Sequence, residues 1–324
     1  MTDQSERFRE VFDAEPASVV SVEGRGGVPC QVWSFVKGAH YAGNFGKQWA
    51  RFRNVQIDSL NGTSISRQYM EDLLGFPVSQ LAGKAVLEVG AGAGRFTEHF
   101  VRHAKSVVAV DLSEAIFVNV ALGADNLVPA QANLLEMPPL KRKFDLVYCR
   151  GVLQHTPDPL RSIAELHRWV APDGLVVYDV YPRGTLGRFG AKYVLRPIIQ
   201  RLFTYETFVP WVERNAERIL RLRWKVKPFL PGKTYKLLDF VLPIYDYRDR
   251  LPLTDAQLIE WGQLDTVDGF FAKYDNPFDC DEILQAVERM GARVVSFDRT
   301  MNFFRTAMPA GREPAIPADT SSRA

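Results

Sequence analysis

Val86-Leu87-Glu88-Val89-Gly90-Ala91-Gly92-Ala93-Gly94-Arg95-Phe96 runs an apolar segment into three alternating glycines and then into RFTEHFVRHA, which has helical spacing. Glycines at such a junction permit a tight turn and let a ligand approach the backbone. The dinucleotide fingerprint wants a glycine or alanine at the third position after Gly92, and Arg95 stands there, which argues against NAD or FAD. No Gly-Lys-Ser/Thr follows, so a Walker phosphate loop is excluded. Taken alone, the stretch is also what a plain tight turn in an α/β protein looks like.

The next apolar segment, SVVAVD, ends at Asp111, about 20 residues beyond the loop, which is the spacing of a ribose-binding acid. Its competing reading is a helix N-cap for SEAIFVNVAL, a task Ser113 can take instead. Further on come the strand-like NLVPAQA and FDLVYC, the helix-like PLRSIAELHRWV and the strand-like GLVVYDVY. Strands alternating with helices at this spacing predict a parallel sheet covered on both faces.

Outward from this block, residues 5–13 predict a short helix, and ASVVSV and CQVWSFV two strands joined at Gly24 to Gly27. Helical spacing is expected from Trp49 onward, and again from Ser64 to Leu74, where Gly75 and Pro77 stop it. Asp279 and Glu282 form a capping-box pattern before EILQAVERM, with Gly291 as its stop, and ARVVSFD and NFFRTAM read as closing strands. The tail from Pro309 is expected to be disordered.

The 324 residues carry 40 Lys and Arg against 38 Asp and Glu, so a net charge of +2 makes no global case for nucleic acid or membrane. Cys30, Cys149 and Cys280 form no paired motif, which excludes a cysteine zinc site or disulfide framework and fits a reducing cytoplasm. The first residues lack the apolar stretch of a secretory signal, and no run reaches membrane-spanning length. No metal-ligand cluster is visible, so metal independence is expected.

Loop and acid together resemble the class I S-adenosylmethionine-dependent methyltransferases. AQANLLEMPPL sits where that family holds adenine, FDLVYCRGVLQHTPDP is similar to its fourth strand and the segment after it, and GLVVYDVY to its fifth. The flanking NFGKQWARFRNVQIDS, LPLTDAQLIEWGQLDTVD and AKYDNP are similar to a bacterial subfamily associated with glycan or secondary-metabolite pathways. The resemblance implies a Rossmann-like seven-stranded α/β sheet, mostly parallel with the last strand antiparallel, helices on both faces, an N-terminal extension and a helical insertion. The segments expected are 1–63 (extension and cofactor-capping segment), 64–181 (core), 182–278 (acceptor-side insertion), 279–308 (end of core) and 309–324 (tail).

It also implies S-adenosyl-L-methionine as cofactor. Glu88 would help hold the ammonium of the methionine part; its other reading is structural hydrogen bonding. Gly90, Ala91 and Gly92 would pack against the cofactor, Asp111 with Leu112 would take the ribose, and Asn133 and Leu134 would frame adenine. The family usually has Asp where this chain has Asn133, and Leu134 also reads as ordinary core. Gln48, Tyr41 and Arg150 are further candidates for polar contact with the cofactor, while Phe45 and Trp49 would close over it or pack the N-terminal helix. Arg150, Gly151, Gln154 and His155 follow the fourth strand, where ligands of open sheets bind. His155 is the candidate general base, or a structural histidine bonded to backbone. Asp265, Asp268, Tyr274 and Asp275 could line an acceptor pocket or cap turns at VDG and DNP.

Between Arg183 and Lys236 stand 13 Lys or Arg against three Glu. This excess reads as a solvated helical face, or as contact with an anionic acceptor or a membrane surface. No RNA-binding module accompanies it, and the sequence leaves the oligomeric state open. The expected activity is methyl transfer to a small molecule or glycan precursor at oxygen; the alternatives are an RNA methyltransferase and a non-catalytic cofactor-binding protein.

Overall fold

The computed structural model describes residues 4–38, 40–183, 191–230 and 232–315, apart from the side chains of residues 44, 45, 47–50, 53, 233, 234 and 236. The strands are β1 (Ser18–Glu23), β2 (Pro29–Ser34), β3 (Ala85–Val89), β4 (Ser106–Asp111), β5 (Leu127–Gln131), β6 (Phe144–Cys149), β7 (Val170–Asp179), β8 (Arg293–Asp298) and β9 (Phe303–Ala307). The helices are α1 (Gln4–Val11), α2 (Gly43–Gln56), α3 (Asp58–Asn61), α4 (Ile65–Leu74), α5 (Thr97–His103), α6 (Pro159–Arg168), α7 (Ala191–Leu202), α8 (Tyr205–Val226), α9 (Gly232–Val241), α10 (Asp255–Phe271) and α11 (Cys280–Arg289). The chain divides into a sheet unit of residues 1–50, 62–182 and 274–324 and a helical unit of residues 51–61 and 183–273.

In the sheet unit, one nine-stranded sheet has the order β1-β2-β5-β4-β3-β6-β7-β9-β8. Seven of these strands form the expected sheet. The pairs β5·β4, β4·β3, β3·β6 and β6·β7 are parallel, and β9 inserts antiparallel between β7 and β8. The N-terminal hairpin adds two strands: β2 lies parallel to β5, and β1 runs antiparallel to β2. Alternate residues serve opposite faces, as the two-residue period of a strand requires. Leu87, Val89, Val108, Val110 and Val147 enter one buried cluster, while Val86, Val107, Ala109, Leu146 and Tyr148 enter the other. Both faces are covered, which explains the uninterrupted apolar runs.

Most expected elements form where the sequence places them, including the capping box of α11 and the left-handed Gly75 that ends α4. SEAIFVNVAL is an exception. It makes only a 3-10 turn, Glu114–Val118, because Asn119 breaks away, its Oδ1 accepting from the Ala121 N–H and its Nδ2 donating to Gly92 O and Thr97 Oγ1. The tail also departs from expectation over residues 309–315, where the Ala315 N–H bonds Met290 O; residues 316–324 lie outside the described residues.

The helical unit has its own core. Phe208, Val212, Ala216, Leu220 and Trp224 recur every four residues along α8, and they pack with Ile199, Ile244, Leu258, Val267 and Phe270. Arg223 lies in the same unit at 2% exposure. It donates to Leu242 O, Ile244 O and the Asp239 carboxylate. VDG at 267–269, expected as a turn, is instead helical within α10. A Cβ on Gly262 would stand 2.5 Å from Tyr245 O and one on Gly269 2.9 Å from Tyr245 Oη, so close approach to the 245 segment explains both glycines.

Candidate cofactor site at the strand ends

The glycine loop leaves β3 and is fixed at once to β4. The Gly90 and Ala91 amides both donate to Val110 O, at 2.7 and 3.1 Å, and the Gly92 amide donates to Asp111 Oδ2 at 2.8 Å. Gly90 takes φ +80°, and a Cβ there would lie 2.0 Å from Val152 Cγ2. Gly94 takes φ +100°, and a Cβ there would lie 2.4 Å from Asn119 Oδ1. Both positions therefore demand glycine on backbone and on space.

Two carboxylates flank this loop. Asp111 is partly buried, and its Oδ1 accepts from the Ser113 amide at 2.7 Å and the Ser113 hydroxyl at 2.6 Å. With Gly92, three of about four acceptor positions are taken, leaving one open. Ser113 is the cap, accepting from the Ala115 amide, so Asp111 is freed from that role but holds the loop as well. Burial raises the Asp111 pKa, with the bonds from Ser113 and Gly92 opposing.

Glu88, at the end of β3, is 1% exposed. Thr97 donates to its Oε2 at 2.6 Å, and Oε1 has no hydrogen-bond partner among the described residues. Burial pushes its pKa up to about 8, the Thr97 bond opposing and Asp111 adding to the rise. An enclosed carboxyl oxygen without a partner is rare in a native interior and suits a cationic ligand group. Thr97, in turn, is held by Asn119. The sequence reading missed Thr97 and Asn119, which carry no motif of their own.

Leu112 follows Asp111, and its carbonyl accepts from Gln131 Nε2 while Gln131 Oε1 accepts from the Ser34 hydroxyl. The N-terminal hairpin thus braces the end of β4. Asn133 Oδ1 caps a 3-10 turn by accepting from the Leu135 amide at 3.2 Å. Leu134 is 4% exposed in the core, which leaves only its backbone for a ligand.

Arg150 leaves β6 into an ion pair. Its Nη1 donates to Asp179 Oδ2 at 2.6 Å and its Nε to Tyr69 Oη at 2.8 Å, while the Gly151 amide donates to Asp179 Oδ1. Burial would lower the Arg150 pKa, but Asp179 overcomes it and the net direction is upward. Tyr69 and Asp179 were also missed. Asp179 ends β7 on the ligand-binding side of a parallel sheet, and that position was a readable signal.

Beyond β6, Gln154 is fully enclosed, with neither side-chain nitrogen nor oxygen partnered. His155 Nδ1 lies 2.9 Å from Tyr274 O, which ties the residue to the 274 segment. The Asn276 amide donates to Gln154 O, and Asn276 Nδ2 to Thr156 O. Tyr274 meets Tyr41 edge to face, ring centroids 5.4 Å apart. Burial, then Asp111, raises the Tyr41 pKa. The start of α2 crosses the same region, since a Cβ on Gly46 would lie 3.0 Å from the Glu114 amide nitrogen. The side chains of Phe45, Gln48 and Trp49 lie outside the described residues. Asp265 belongs to the helical unit, where Tyr247 and Trp261 donate to it.

Residues 63–226 match the family described as a methyltransferase domain. The chain is 32% identical over 171 residues to the ubiquinone biosynthesis O-methyltransferase of Pseudomonas entomophila, covering 49% of this chain and 71% of that one. Among solved structures, an S-adenosylmethionine dependent methyltransferase from Mesorhizobium loti is 25% identical over 34% of this chain and 53% of its own, with a TM-score of 0.31. The N-methyltransferase NodS from Bradyrhizobium japonicum, solved with S-adenosyl-L-homocysteine, is 23% identical over 44% of this chain and 78% of its own, with a TM-score of 0.36. With half its length matched to the methyltransferase domain and most of an O-methyltransferase aligned to it, the chain belongs to the S-adenosylmethionine-dependent methyltransferases.

Proposed function

We propose that this protein transfers a methyl group from S-adenosyl-L-methionine to an oxygen of a small organic acceptor, a class that includes glycan precursors. The observation that carries the reading is the pair of acids around one glycine loop, Glu88 with an unpartnered buried oxygen and Asp111 with one acceptor position open. The O-methyltransferase named above supports oxygen as the acceptor atom.

The residues present fit such a donor. Glu88 Oε1 would take the ammonium, and Asp111 a ribose hydroxyl at its open acceptor position. Gly90, Ala91 and Gly92 would offer a close-packed floor rather than amide donors, since their N–H groups are already bonded within the fold. Asn133 Nδ2 and the Leu134 backbone would border adenine, Leu112 would flank the ribose, and Arg150 Nη2 and Gln48 would add polar contacts. When bound, the cofactor supplies a methyl group already made electrophilic by its sulfonium. The chain then has to align the acceptor and exclude water. His155, held at Nδ1 by the Tyr274 carbonyl, keeps a fixed ring orientation from which Nε2 would take the acceptor proton. Gln154 would orient the acceptor beside it.

Calorimetry should detect S-adenosylmethionine or its demethylated product and prefer both to NAD. Cell extract incubated with cofactor carrying a labelled methyl group should yield a labelled small molecule whose methyl resonance is that of a methyl ether or ester. Label appearing in RNA alone, or in no product, would overturn the reading.

A further inference from the structure

We propose that the outward face of the helical unit is a docking surface for an anionic lipid bilayer. A helix packed on a soluble core normally turns its polar side to water. α7 does not. Its inward side uses Leu195 and Ile199, and the flanking Arg196 and Gln200 donate to the carbonyls of Ala272 and Phe270. Its outward side presents Val194, Pro197, Ile198 and Leu202, spaced three and four residues apart. Ile198 is 50% and Leu202 70% exposed. α9 repeats the pattern: Tyr235 turns inward to bond Asp246, while Leu237, Phe240 and Val241 are exposed. α7 and α9 pack on each other, so the two apolar strips belong to neighbouring helices.

Charge is sorted along α8 in a way that selects the partner. Arg223 pairs with Asp239, Arg221 with Glu217, and Lys227, just beyond the helix, with Asp249. Arg214, Arg218 and Lys225 are exposed and make no ion pair among the described residues. With Leu222, they fall four, four and three residues apart, one line on the helix. That line leads to Phe229, 83% exposed in the turn that joins α8 to α9.

Exposed aliphatic and aromatic side chains on α7 and α9 and unpaired cations on α8 of the same unit supply the two halves of interfacial binding: apolar insertion at the headgroup boundary and attraction to anionic lipid. A nucleic acid would satisfy the cations but leave the aliphatic strip wet. A second copy of this chain, docked face to face, would bring the same cations against each other.

Flotation of the full chain with vesicles tests this. It should bind mixed phosphatidylcholine and phosphatidylglycerol vesicles, fail to bind phosphatidylcholine alone, and lose most binding at high salt. Each cation meeting the surface is worth about fivefold in partitioning, so Arg214→Glu with Arg218→Glu and Lys225→Glu should weaken binding by at least roughly a hundredfold. Ile198→Ser with Leu202→Ser should also reduce it, by tenfold or more in order of magnitude. Both variants should keep the wild-type circular dichroism spectrum and methyl transfer in solution, which separates lost docking from lost folding. Failure to bind mixed vesicles at low salt overturns the proposal, as does equal binding by folded variants. A concentration-dependent dimer abolished by the serine pair, or RNA binding that excludes vesicles, would overturn it in favour of another occupant.

Discussion

Each unit of this protein holds an arginine on a carboxylate, and the two are set differently. In the sheet unit, Arg150 is partly open; Asp179 and Tyr69 grip its Nη1 and Nε, at a strand end where a ligand can reach what is left over. In the helical unit, Arg223 is sealed, and one carboxylate and two backbone carbonyls use its donors to fasten the residue 239–244 segment to α8. The other cations of α8, Arg214, Arg218, Arg221 and Lys225, are exposed. Paired charge thus stays partly open at a strand end in one unit and is sealed into the packing in the other.

The largest effect should come from breaking the sealed arginine. Arg223→Met removes the donors to Leu242 O and Ile244 O and leaves Asp239 unpaired. Asp239 is half exposed and can rehydrate, so the expected loss is about 3 kcal/mol, read as a lower urea midpoint. Arg223→Lys should recover only part, because an ammonium cannot reproduce the fork. A methionine variant as stable as wild type would mean Arg223 does not fasten this unit. Arg223 is one of the 13 cations counted between Arg183 and Lys236; its burial among carbonyls removes it from any surface that excess could form.

Next comes the open site. Asp111→Ala deletes both the open acceptor position and the anchor of the Gly92 amide. A lost charged hydrogen bond is worth roughly 1.5–3 kcal/mol, so affinity for S-adenosylhomocysteine should fall about 10- to 150-fold by calorimetry. Unchanged affinity in a folded variant would confine Asp111 to holding the loop.

The two units were not equally legible. KAVLEV, the glycines and Asp111 announce themselves because their roles come from backbone shape and spacing within a short stretch, and alternating strands and helices then fix the sheet. Asp179 and Tyr69 meet Arg150 from 29 and 81 residues away, and no local pattern links them. The hairpin strands were readable, but their addition to β5 was not, since two paired backbones and a Ser34–Gln131 hydrogen bond decide it. In the helical unit, charge counting saw 13 cations and no geometry, so paired and unpaired ones looked alike. VDG read as a turn because the approach of Tyr245 that favours glycine there is a tertiary fact.

A smaller effect per step is expected from pH. Glu88 has a folded pKa raised to about 8 from 4.5. Below 4.5 the unfolded and folded chains both hold the proton, and this group gives no slope. Between there and about 8 only the folded chain keeps it, so stability falls as pH rises, by at most tenfold in the folding equilibrium per pH unit. Above that range the slope vanishes. Glu88→Gln should lack this component, so its stability relative to wild type should improve steadily across the window in urea titrations. Parallel pH profiles for the two proteins would show that Glu88 is ionised in the fold.

The smallest effect tests the adenine side. Asn133 Oδ1 is committed to the Leu135 amide, so the atom left toward a ligand is the Nδ2 donor. Asn133→Asp keeps a cap of equal quality, and stability should shift by less than about 0.5 kcal/mol. The substitution turns the outer atom from donor to acceptor. The adenine amino group is a donor, so the aspartate should bind S-adenosylhomocysteine more tightly, by about two- to tenfold, the worth of one modest hydrogen bond. An analogue lacking the exocyclic amino group should then bind both proteins alike. Weaker binding by the aspartate variant, with the gain absent for the natural cofactor, would mean that Nδ2 donates to a ring nitrogen and that this chain reads adenine through the opposite polarity. No change for either ligand would leave Asn133 a turn cap alone, and the open side of the site would then be set by Asp111 and Glu88.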